Sequence, residues 1–195
     1  MKKELDDKLC TTYPLIFSLR NGDKRVAPMA WGFQCGDGWY PLINKLCSVI
    51  QHHIDSSNEH RQWLASYNHM IDEALAGNLG PIEQKYPNLT HEGRMKMVAD
   101  RTFRTEEKPL IVQLVAGQVK EKFGGLRFYV HKGGDEFTQG AIALAESLSF
   151  TICDVCGNPG KVGNQSLTFD EPKRDGVHGY YATRCRDHWG YREEI

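Results

Sequence analysis

Four residues near the end of the chain have the types and the spacing of metal ligands. Cys153 and Cys156 are separated by two residues and followed by Gly157, and Cys185 and His188 repeat the same separation further along. Two thiolates at this spacing can hold one ion from a tight turn, and three cysteines with one histidine are a standard tetrahedral ligand set for zinc. The sequence therefore predicts one structural Zn²⁺ ion bound by Cys153, Cys156, Cys185 and His188.

Other chemistry at these residues fits the pattern less well. A redox Cys-x-x-Cys motif opens a helix after a core strand and needs no distant Cys-x-x-His pair. Catalytic zinc needs an open fourth position, whereas four protein ligands close the site. His178 is the alternative fourth ligand if His188 does not coordinate the ion.

The residues between the two ligand pairs are rich in turn formers and poor in apolar side chains, as in Asn158-Pro159-Gly160 and Asp175-Gly176. Such a segment buries too little apolar surface to fold by itself, and a bound metal would supply the missing stability. We use the name knuckle for the tight turn Cys153–Gly157. A knuckle followed by a turn-rich hairpin and a final ligand pair is typical of a treble-clef or zinc-ribbon-like module. We predict a zinc-binding module at 151–195.

A second candidate site lies on a predicted β-hairpin. Residues 110–123 and 126–130 alternate like strands, and Gly124-Gly125 between them suits the positive φ values of a hairpin turn. With this turn, Lys122 lies opposite Arg127. Side chains that share the outer face of the hairpin are those of Lys120, Lys122, Arg127, Tyr129 and His131.

The basic outer face of the hairpin is the surface that we predict to bind a partner. Like charges directly opposite each other on a sheet are destabilising, and a phosphate, a nucleic-acid backbone or an acidic protein surface would relieve the repulsion. The alternative is that the face is only solvated, or is balanced by internal carboxylates such as the neighbours of Glu121 or that of Asp37.

Three residues could do acid–base chemistry if the protein is an enzyme: Asp37, Glu121 and His131. Neither a nucleophile-elbow, a phosphate-binding nor a dinucleotide-binding motif accompanies them. Within Gly36-Asp37-Gly38-Trp39, we expect the tryptophan to fill the core and the aspartate to begin a turn or a helix.

The elements that must position these residues make an α+β protein. Helical periodicity covers about 42–53 and 58–76, with a break expected at Ser56-Ser57-Asn58, and a further helix is expected from Thr90 to about Phe103. Another amphipathic helix, at 135–149, has its apolar side formed by Phe137, Ala141, Leu144, Ala145 and Leu148. We predict a domain at 1–150, with an antiparallel hairpin-based sheet packed by helices and a helical insertion at 57–110.

Composition narrows the function classes. The chain has 195 residues, of which 40% are hydrophobic and 25% charged, and its formal net charge is −1. With a net charge this small, the protein as a whole does not attract nucleic acid or an anionic membrane. The same value argues against an acidic DNA mimic, which would need a large excess of negative charge. The longest apolar run near the start, Leu15-Ile16-Phe17, is too short for a signal peptide, so we expect a cytoplasmic protein with reduced cysteines.

Three blocks together resemble a family of small uncharacterised proteins from bacteria, prophages and tailed phages. The blocks are FQCGDGWYPLINKLC, VKEKFGGLRFYV, and CDVCGNPG ending in TRCRDHW, and the resemblance covers about 30–55 and 112–190 but not 57–110. It implies no reaction. It implies an accessory protein of a phage or mobile element that acts on host machinery or host defence in the host cytoplasm.

These observations lead to one functional expectation and one alternative. We expect a zinc-stabilised, non-enzymatic interaction protein that binds a host protein or a nucleic acid and no membrane. The alternative is an enzyme that acts on nucleic acid or nucleotide phosphates. The oligomeric state is left open by the sequence.

Overall fold

The computed structural model describes residues 1–100 and 106–190. Over these residues the protein is α+β, as predicted, with five α-helices and two two-stranded antiparallel sheets. The helices are α1 (Lys3–Thr12), α2 (Tyr40–Leu75), α3 (Gly80–Lys85), α4 (His91–Asp100) and α5 (Glu136–Ser149). The strands are β1 (Val115–Lys122), β2 (Gly125–Lys132), β3 (Lys161–Asn164) and β4 (Tyr181–Arg184). Within the described ranges, no helix is both long enough and apolar enough to cross a bilayer.

The chain forms two compact units. One contains residues 1–54 together with the described residues from 112 onward, and the other is Asp55–Ile111. The second unit covers nearly the same residues as the insertion predicted at 57–110. Residues 151–190 of the predicted zinc-binding module belong to the first unit, and residues 191–195 lie outside the described part of the chain. A domain boundary at 150–151 stays a prediction.

The Asp55–Ile111 unit has its own apolar core, contributed by α2, α3 and α4. Its buried residues are Tyr67, Met70, Ile71, Ala74, Ile82 and Val98. This cluster explains how a stretch with many polar residues can fold, because each helix buries at least one apolar side chain in it. Of the helix predicted from Thr90 to Phe103, α4 covers His91–Asp100, and residues 101–103 lie outside the described part.

The predicted break in α2 at Ser56-Ser57-Asn58 is wrong, because the helix is continuous from Tyr40 to Leu75. The side chain of Asn58 reaches Ile111, where its Nδ2 donates to the carbonyl oxygen at 2.9 Å and its Oδ1 accepts the backbone N–H at 2.7 Å. An asparagine whose amide is satisfied elsewhere does not compete for the hydrogen bonds of its own helix.

The hairpin has a different register from the predicted one. Its turn is Phe123-Gly124, with φ values of 54° and 83°, so that Lys122 pairs with Gly125. The prediction that Lys122 lies opposite Arg127 is therefore wrong. Because the register differs by two residues, the side chains of the strands keep their predicted faces.

Contacts from distant parts of the chain explain this register. A Cβ atom at Gly125 would lie 2.4 Å from Cζ of Phe150, and one at Gly124 would lie 2.5 Å from Cγ2 of Val162. Both positions therefore require glycine for close packing, and only Gly124 is used for its positive φ. The Gly-Gly pair alone does not reveal which of these two roles each glycine has.

Helix α5 is rotated by about one residue, or roughly 100°, from the prediction, so that Ala145 is buried as expected but the larger apolar residues are not. Phe137, Leu144 and Leu148 expose 50%, 61% and 43% of their surface, although the apolar periodicity placed them toward the core. The residues that α5 buries are Thr138, Ile142, Ala145 and Ser149. The exposed leucines line an apolar groove whose other wall includes Leu42 and Val49 of α2.

The outer edge of β2 accounts for the orientation of α5. Leu126 N–H donates to Oγ of Ser149, and Phe128 N–H donates to Oε1 of Glu146, both at 2.8 Å. A strand edge buried without hydrogen-bond partners is costly, so the polar residues of α5 lie against β2. The prediction from apolar periodicity did not take into account that the N–H groups on the edge of β2 need acceptors.

A partly buried ion pair anchors α1. Arg20 donates from Nε and Nη2 to the two carboxylate oxygens of Asp6, at 2.8 and 3.1 Å, and Asp6 is only 5% exposed. Burial disfavours the charged form of Asp6, but the hydrogen bond and the positive charge of Arg20 outweigh it and lower the pKa of Asp6 from its ordinary value of 3.8. Folding therefore stabilises the ionised carboxylate.

The Asp6–Arg20 pair predicts part of the acid sensitivity. Because the pKa of Asp6 is lower in the folded state, its stabilisation is present above pH 3.8 and is lost as the pH falls through the folded-state pKa. Asp6→Asn should lower the free energy of unfolding at pH 7 by about 2 kcal/mol and flatten its dependence on pH below 5. Urea denaturation across this pH range measures both effects.

The control is the exposed Asp23–Arg25 pair, in which the arginine side chain is 89% exposed. Asp23→Asn should leave the unfolding free energy at pH 7 nearly unchanged, because exposed ion pairs contribute little to stability. Identical acid profiles for the Asp6→Asn variant and the unsubstituted protein would contradict a role for this pair.

Candidate metal centre and hairpin surface

The four predicted ligands come together in the structure. Their potential ligand atoms all lie within 4.8 Å of one another. Sγ atoms of Cys156 and Cys185 are 3.7 Å apart, and Nδ1 of His188 lies 3.2 Å from Sγ of Cys185 and 3.8 Å from Sγ of Cys153. A tetrahedral ion with bonds of about 2.3 Å to sulfur and about 2.0 Å to nitrogen separates two sulfurs by about 3.8 Å, and sulfur from nitrogen by about 3.5 Å. The cluster is therefore compatible with a four-coordinate metal site that uses Nδ1 of His188.

Local backbone structure brings each ligand pair into position. In the first pair, Gly157 adopts a φ of 80° and its N–H donates to the carbonyl of Cys153 at 2.8 Å, which closes the knuckle. In the second pair, β4 ends at Arg184, and the 3₁₀ turn Arg186–His188 follows directly. The turn carries the imidazole of His188 back toward the thiol of Cys185.

The pKa values of two thiols in the cluster are shifted in opposite directions. Burial disfavours ionisation of Cys153, but hydrogen bonds from the backbone of Cys185, Cys156 and Val155 outweigh it, and the pKa of Cys153 is lowered. The pKa of Cys156 is raised to about 11, by burial and then by hydrogen bonds with the other two thiols. A divalent cation deprotonates the thiols that coordinate it. Bonds from the thiolates to the metal would therefore replace the hydrogen bonds between the thiols.

The Gly36-Asp37-Gly38-Trp39 loop packs directly on the knuckle. Gly38 N–H donates to the carbonyl of Asp154 at 2.7 Å, and a Cβ atom at Gly38 would lie 2.2 Å from the carbonyl oxygen of Cys153. Trp39 is fully buried, as expected, and its Nε1 donates to the carbonyl of Ile152 at 2.8 Å. The two glycines on either side of the aspartate were the sequence signal for this close approach, which sequence reasoning did not connect to the cysteines.

A buried ion pair supports the knuckle and was missed in the sequence. Asp154, which lies between the first two cysteines, is paired with Arg184 at the end of β4, and the two residues are only 4% and 6% exposed. Backbone N–H of Asp154 also donates to the carbonyl of Thr183 at 3.1 Å. The pair joins the strand that leads to the second ligand pair to the turn that carries the first.

The tip of the β1–β2 hairpin rests on the β3–β4 sheet next to the ligand cluster. Thr183 donates from Oγ1 to the carbonyl of Gly124 at 2.5 Å. Gly124 also lies against Val162 of β3 and Ala182 of β4. The segment between the two ligand pairs therefore holds the hairpin turn in place.

Of the residues predicted to bind a partner, Arg127 directs its side chain to other residues of the fold. Lys120 places its Nζ 5.3 Å from the ring centroid of Tyr129, while Arg127 turns away to Glu146, with Nη1 3.6 Å from the carboxylate, and to the ring of Phe150. His131 lies beside Gly117, where the pairing of the strands becomes irregular. The charge of Arg127 is thus balanced within the fold by the carboxylate of Glu146.

The two lysines of β1, Lys120 and Lys122, line a cleft that is shared with residues at the start of β4. It has a volume of about 480 Å³ and is lined by Lys120, Glu121, Lys122, Phe123, Gly179, Tyr180 and Tyr181. Phe123 and Tyr180 are 75% and 45% exposed, and Nζ of Lys122 lies 5.4 Å from the centroid of the Phe123 ring. We use the name hairpin surface for Lys120, Lys122, Phe123, Tyr129 and Tyr180. Sequence analysis did not assign Phe123 or Tyr180 to it, because it placed Phe123 on the apolar face.

The residues considered for acid–base catalysis have separate roles in the structure. Asp37 accepts the N–H of Lys2 at 2.7 Å, and Glu121 accepts the N–H of Gly124 at 2.6 Å. Glu121 pairs with Leu126 beside the turn, and His131 is five residues further along β2, roughly 16 Å away at 3.3 Å per residue. These three groups therefore do not form one reaction centre.

The thiols outside the metal cluster are poor nucleophiles. Burial, followed by the charge of Asp6, raises the pKa of Cys10 to about 12, and burial raises the pKa of Cys35 to about 12. Burial also raises the pKa of Cys47. Since the thiolate is the reactive form, these three cysteines are better suited to a structural role than to nucleophilic chemistry.

Comparisons of the chain with protein-family models, with curated proteins and with solved structures found no match.

Proposed function

We propose that this protein is a non-catalytic binding protein in which a structural zinc ion supports a surface that contacts a macromolecular partner. The observation that carries this proposal is Phe123. Among the residues that the structure describes, it is the only non-glycine residue with a positive φ, and its ring is 75% exposed. A bulky residue in this conformation costs stability, and strained residues of this kind are concentrated at functional sites.

The chemistry of the donor set supports zinc as the metal. Three thiolates and one imidazole at tetrahedral spacing suit zinc, whereas calcium, magnesium and manganese prefer oxygen ligands. Four protein ligands leave no open coordination position, so the ion would act by linking the Cys153–Cys156 knuckle to the Cys185–His188 turn. Its role would then be stability and the placement of Tyr180 and the hairpin turn.

Side chains, rather than an added strand, are the expected means of contact. The N–H groups of Leu126 and Phe128 on the outer edge of β2 are already bonded to α5. On the outer edge of β1, Gln34 accepts the N–H of Glu121 at 2.8 Å and donates to the carbonyl of Val119 at 3.0 Å. Strand addition needs unpaired backbone groups, so these parts of both edges are closed to it.

Charge reversal on the hairpin surface tests the proposal. The protein carrying Lys120→Glu and Lys122→Glu should lose at least nine-tenths of the partner that the unsubstituted protein retains, because like charges that face each other across an interface are strongly unfavourable. The measurement is capture by immobilised protein from a bacterial lysate, the source suggested by the resemblance, with quantification of the retained protein and nucleic acid.

The matched control carries Lys8→Glu and Lys45→Glu, two exposed lysines outside the hairpin surface. This variant has the same change in net charge and should retain the partner. Equal retention by the hairpin variant and by the unsubstituted protein would refute the proposal.

A further inference from the structure

Building on the proposed function, we infer that the hairpin surface binds single-stranded nucleic acid. The surface combines three exposed aromatic rings with two lysines in one place. Proteins that bind single strands without strong sequence preference use aromatic rings on which bases stack and basic side chains that follow the backbone. A protein partner remains the competing outcome.

Exposed rings are the first part of the argument. Phe123, Tyr129 and Tyr180 expose 75%, 42% and 45% of their surface, and they belong to the turn, to β2 and to the segment before β4. Phe123 and Tyr180 line the same open cleft from two sides. Unstacked bases present flat apolar faces to such rings, whereas the bases of a duplex are stacked on one another.

The lysines are the second part. Within the described residues, neither Lys120 nor Lys122 has a carboxylate oxygen within 4.0 Å of its Nζ. They are alternate residues on one face of β1, roughly 6.6 Å apart along the strand. Each ammonium group lies near the ring of Tyr129 or Phe123, so that a backbone phosphate and a stacked base could be bound side by side.

One acidic side chain shares the cleft. Glu121 lies between the two lysines in sequence, and its Oε1 accepts the N–H of Gly124 at 2.6 Å. The turn thus uses this carboxylate, and the two lysines outnumber it. An acidic peptide could pair with the lysines, but it would leave the three rings in water, which is why the surface favours a ligand with flat apolar faces.

The balance of rings and charges sets the expected dependence on salt. The net charge of the protein is −1, so no long-range attraction adds to the contacts at the surface. Neutralisation of about two phosphates of a single strand gives a slope of about −1.4 for log K against log salt. Binding dominated by stacking should therefore persist at salt concentrations that release purely electrostatic ligands.

The test uses the full-length protein and fluorescence anisotropy. The probes are a labelled oligothymidylate of twelve nucleotides, a labelled mixed-sequence single strand of the same length, the duplex of that sequence and a labelled oligoglutamate peptide. Expected results are saturable binding of both single strands, with the shallow salt slope, and at least tenfold weaker binding of the duplex and the peptide.

Phe123→Asn separates binding from folding. Asparagine next to Gly124 is favoured in a turn with two positive φ values, so the variant should melt at the same or a higher temperature. Removal of one stacking ring should nevertheless weaken single-strand binding about tenfold or more. The matched control, Trp31→Asn, removes a ring that is 63% exposed outside the hairpin surface and should leave binding unchanged.

Four results would overturn the inference: no saturable binding of single strands, equal binding of the duplex, tighter binding of oligoglutamate, or equal losses for Phe123→Asn and Trp31→Asn. If single strands do not bind but lysate capture still depends on Lys120 and Lys122, the inference fails and the proposed function stands. If lysate capture is also insensitive to these lysines, both fail.

Discussion

Replacement of Cys153 by serine should release the metal and lower the free energy of unfolding by several kcal/mol, the largest effect expected in this chain. Structural zinc contributes on the order of 10 kcal/mol to the folding of small zinc modules, which is comparable to the whole stability of a domain. The strands β3 and β4 have four residues each and depend on the cluster for their connection to the knuckle. The measurement is chemical unfolding with and without a chelator.

The same substitution should also impair the hairpin surface. Thr183, which bonds to Gly124, lies two residues before Cys185, and Tyr180 precedes the same strand. Loss of the metal should therefore displace both walls of the cleft, and partner capture should fall together with metal content.

Cys10→Ser is the matched control for Cys153→Ser. Its thiol is half-buried and lies outside the cluster, so its loss should leave the metal in place. The chelator should lower the unfolding midpoint of the unsubstituted protein and of Cys10→Ser, and it should not affect Cys153→Ser. An equal chelator effect on Cys153→Ser would show that the cluster is not the metal site.

Replacement of Asp154 by alanine should cost about 3–5 kcal/mol, the second largest effect. It removes the carboxylate from a buried ion pair and leaves the guanidinium of Arg184 inside the protein without that counter-charge. Combining it with Arg184→Met should cost less than the sum of the two single substitutions, because an apolar residue at position 184 no longer needs the carboxylate. Urea denaturation of the four proteins gives the coupling free energy.

The exposed pair of Asp170 and Arg186 provides the comparison. Arg186 bonds to both oxygens of Asp170, at 3.2 and 2.7 Å, but the two side chains are 72% and 65% exposed. Asp170→Ala should therefore have little effect on the free energy of unfolding. A cost for Asp154→Ala no larger than that for Asp170→Ala would mean that the buried pair does not hold the knuckle.

The metal cluster was predictable because its information is local. Two pairs with the same spacing bring two ligands each, and the glycine after Cys156 lets the knuckle turn. The faces of the hairpin were also predictable, because alternation along a strand does not change when the register differs by two residues. The spacing within each ligand pair and the alternation along each strand depend on residues that are close in sequence.

The features that sequence analysis missed depend on contacts between distant residues. The turn position was decided by Phe150 and Val162, which pack against the two glycines, and the orientation of α5 by the N–H groups of Leu126 and Phe128. Neither periodicity nor turn propensity contains this information. Phe123, on which the proposed function rests, is exposed because the turn is formed by Phe123-Gly124 and not by Gly124-Gly125.

The buried ion pair of Asp154 and Arg184 was also missed because it joins residues that are distant in sequence. A charged residue inside a Cys-x-x-Cys motif is ordinarily expected in solvent, and only the approach of β4 to the knuckle buries it. The packing of Gly38 on the carbonyl of Cys153 likewise joins segments that are far apart in the sequence. Pairings at this separation require the tertiary structure.

The most direct test of the account is the metal content of the purified protein. Mass spectrometry under non-denaturing conditions, with elemental analysis of the same sample, should give about one zinc per chain, and none for Cys153→Ser. The zinc should leave as the protein unfolds, because Cys153, Cys156, Cys185 and His188 come together only in the folded chain. A metal-free protein whose stability is unaffected by a chelator would contradict the account at its centre.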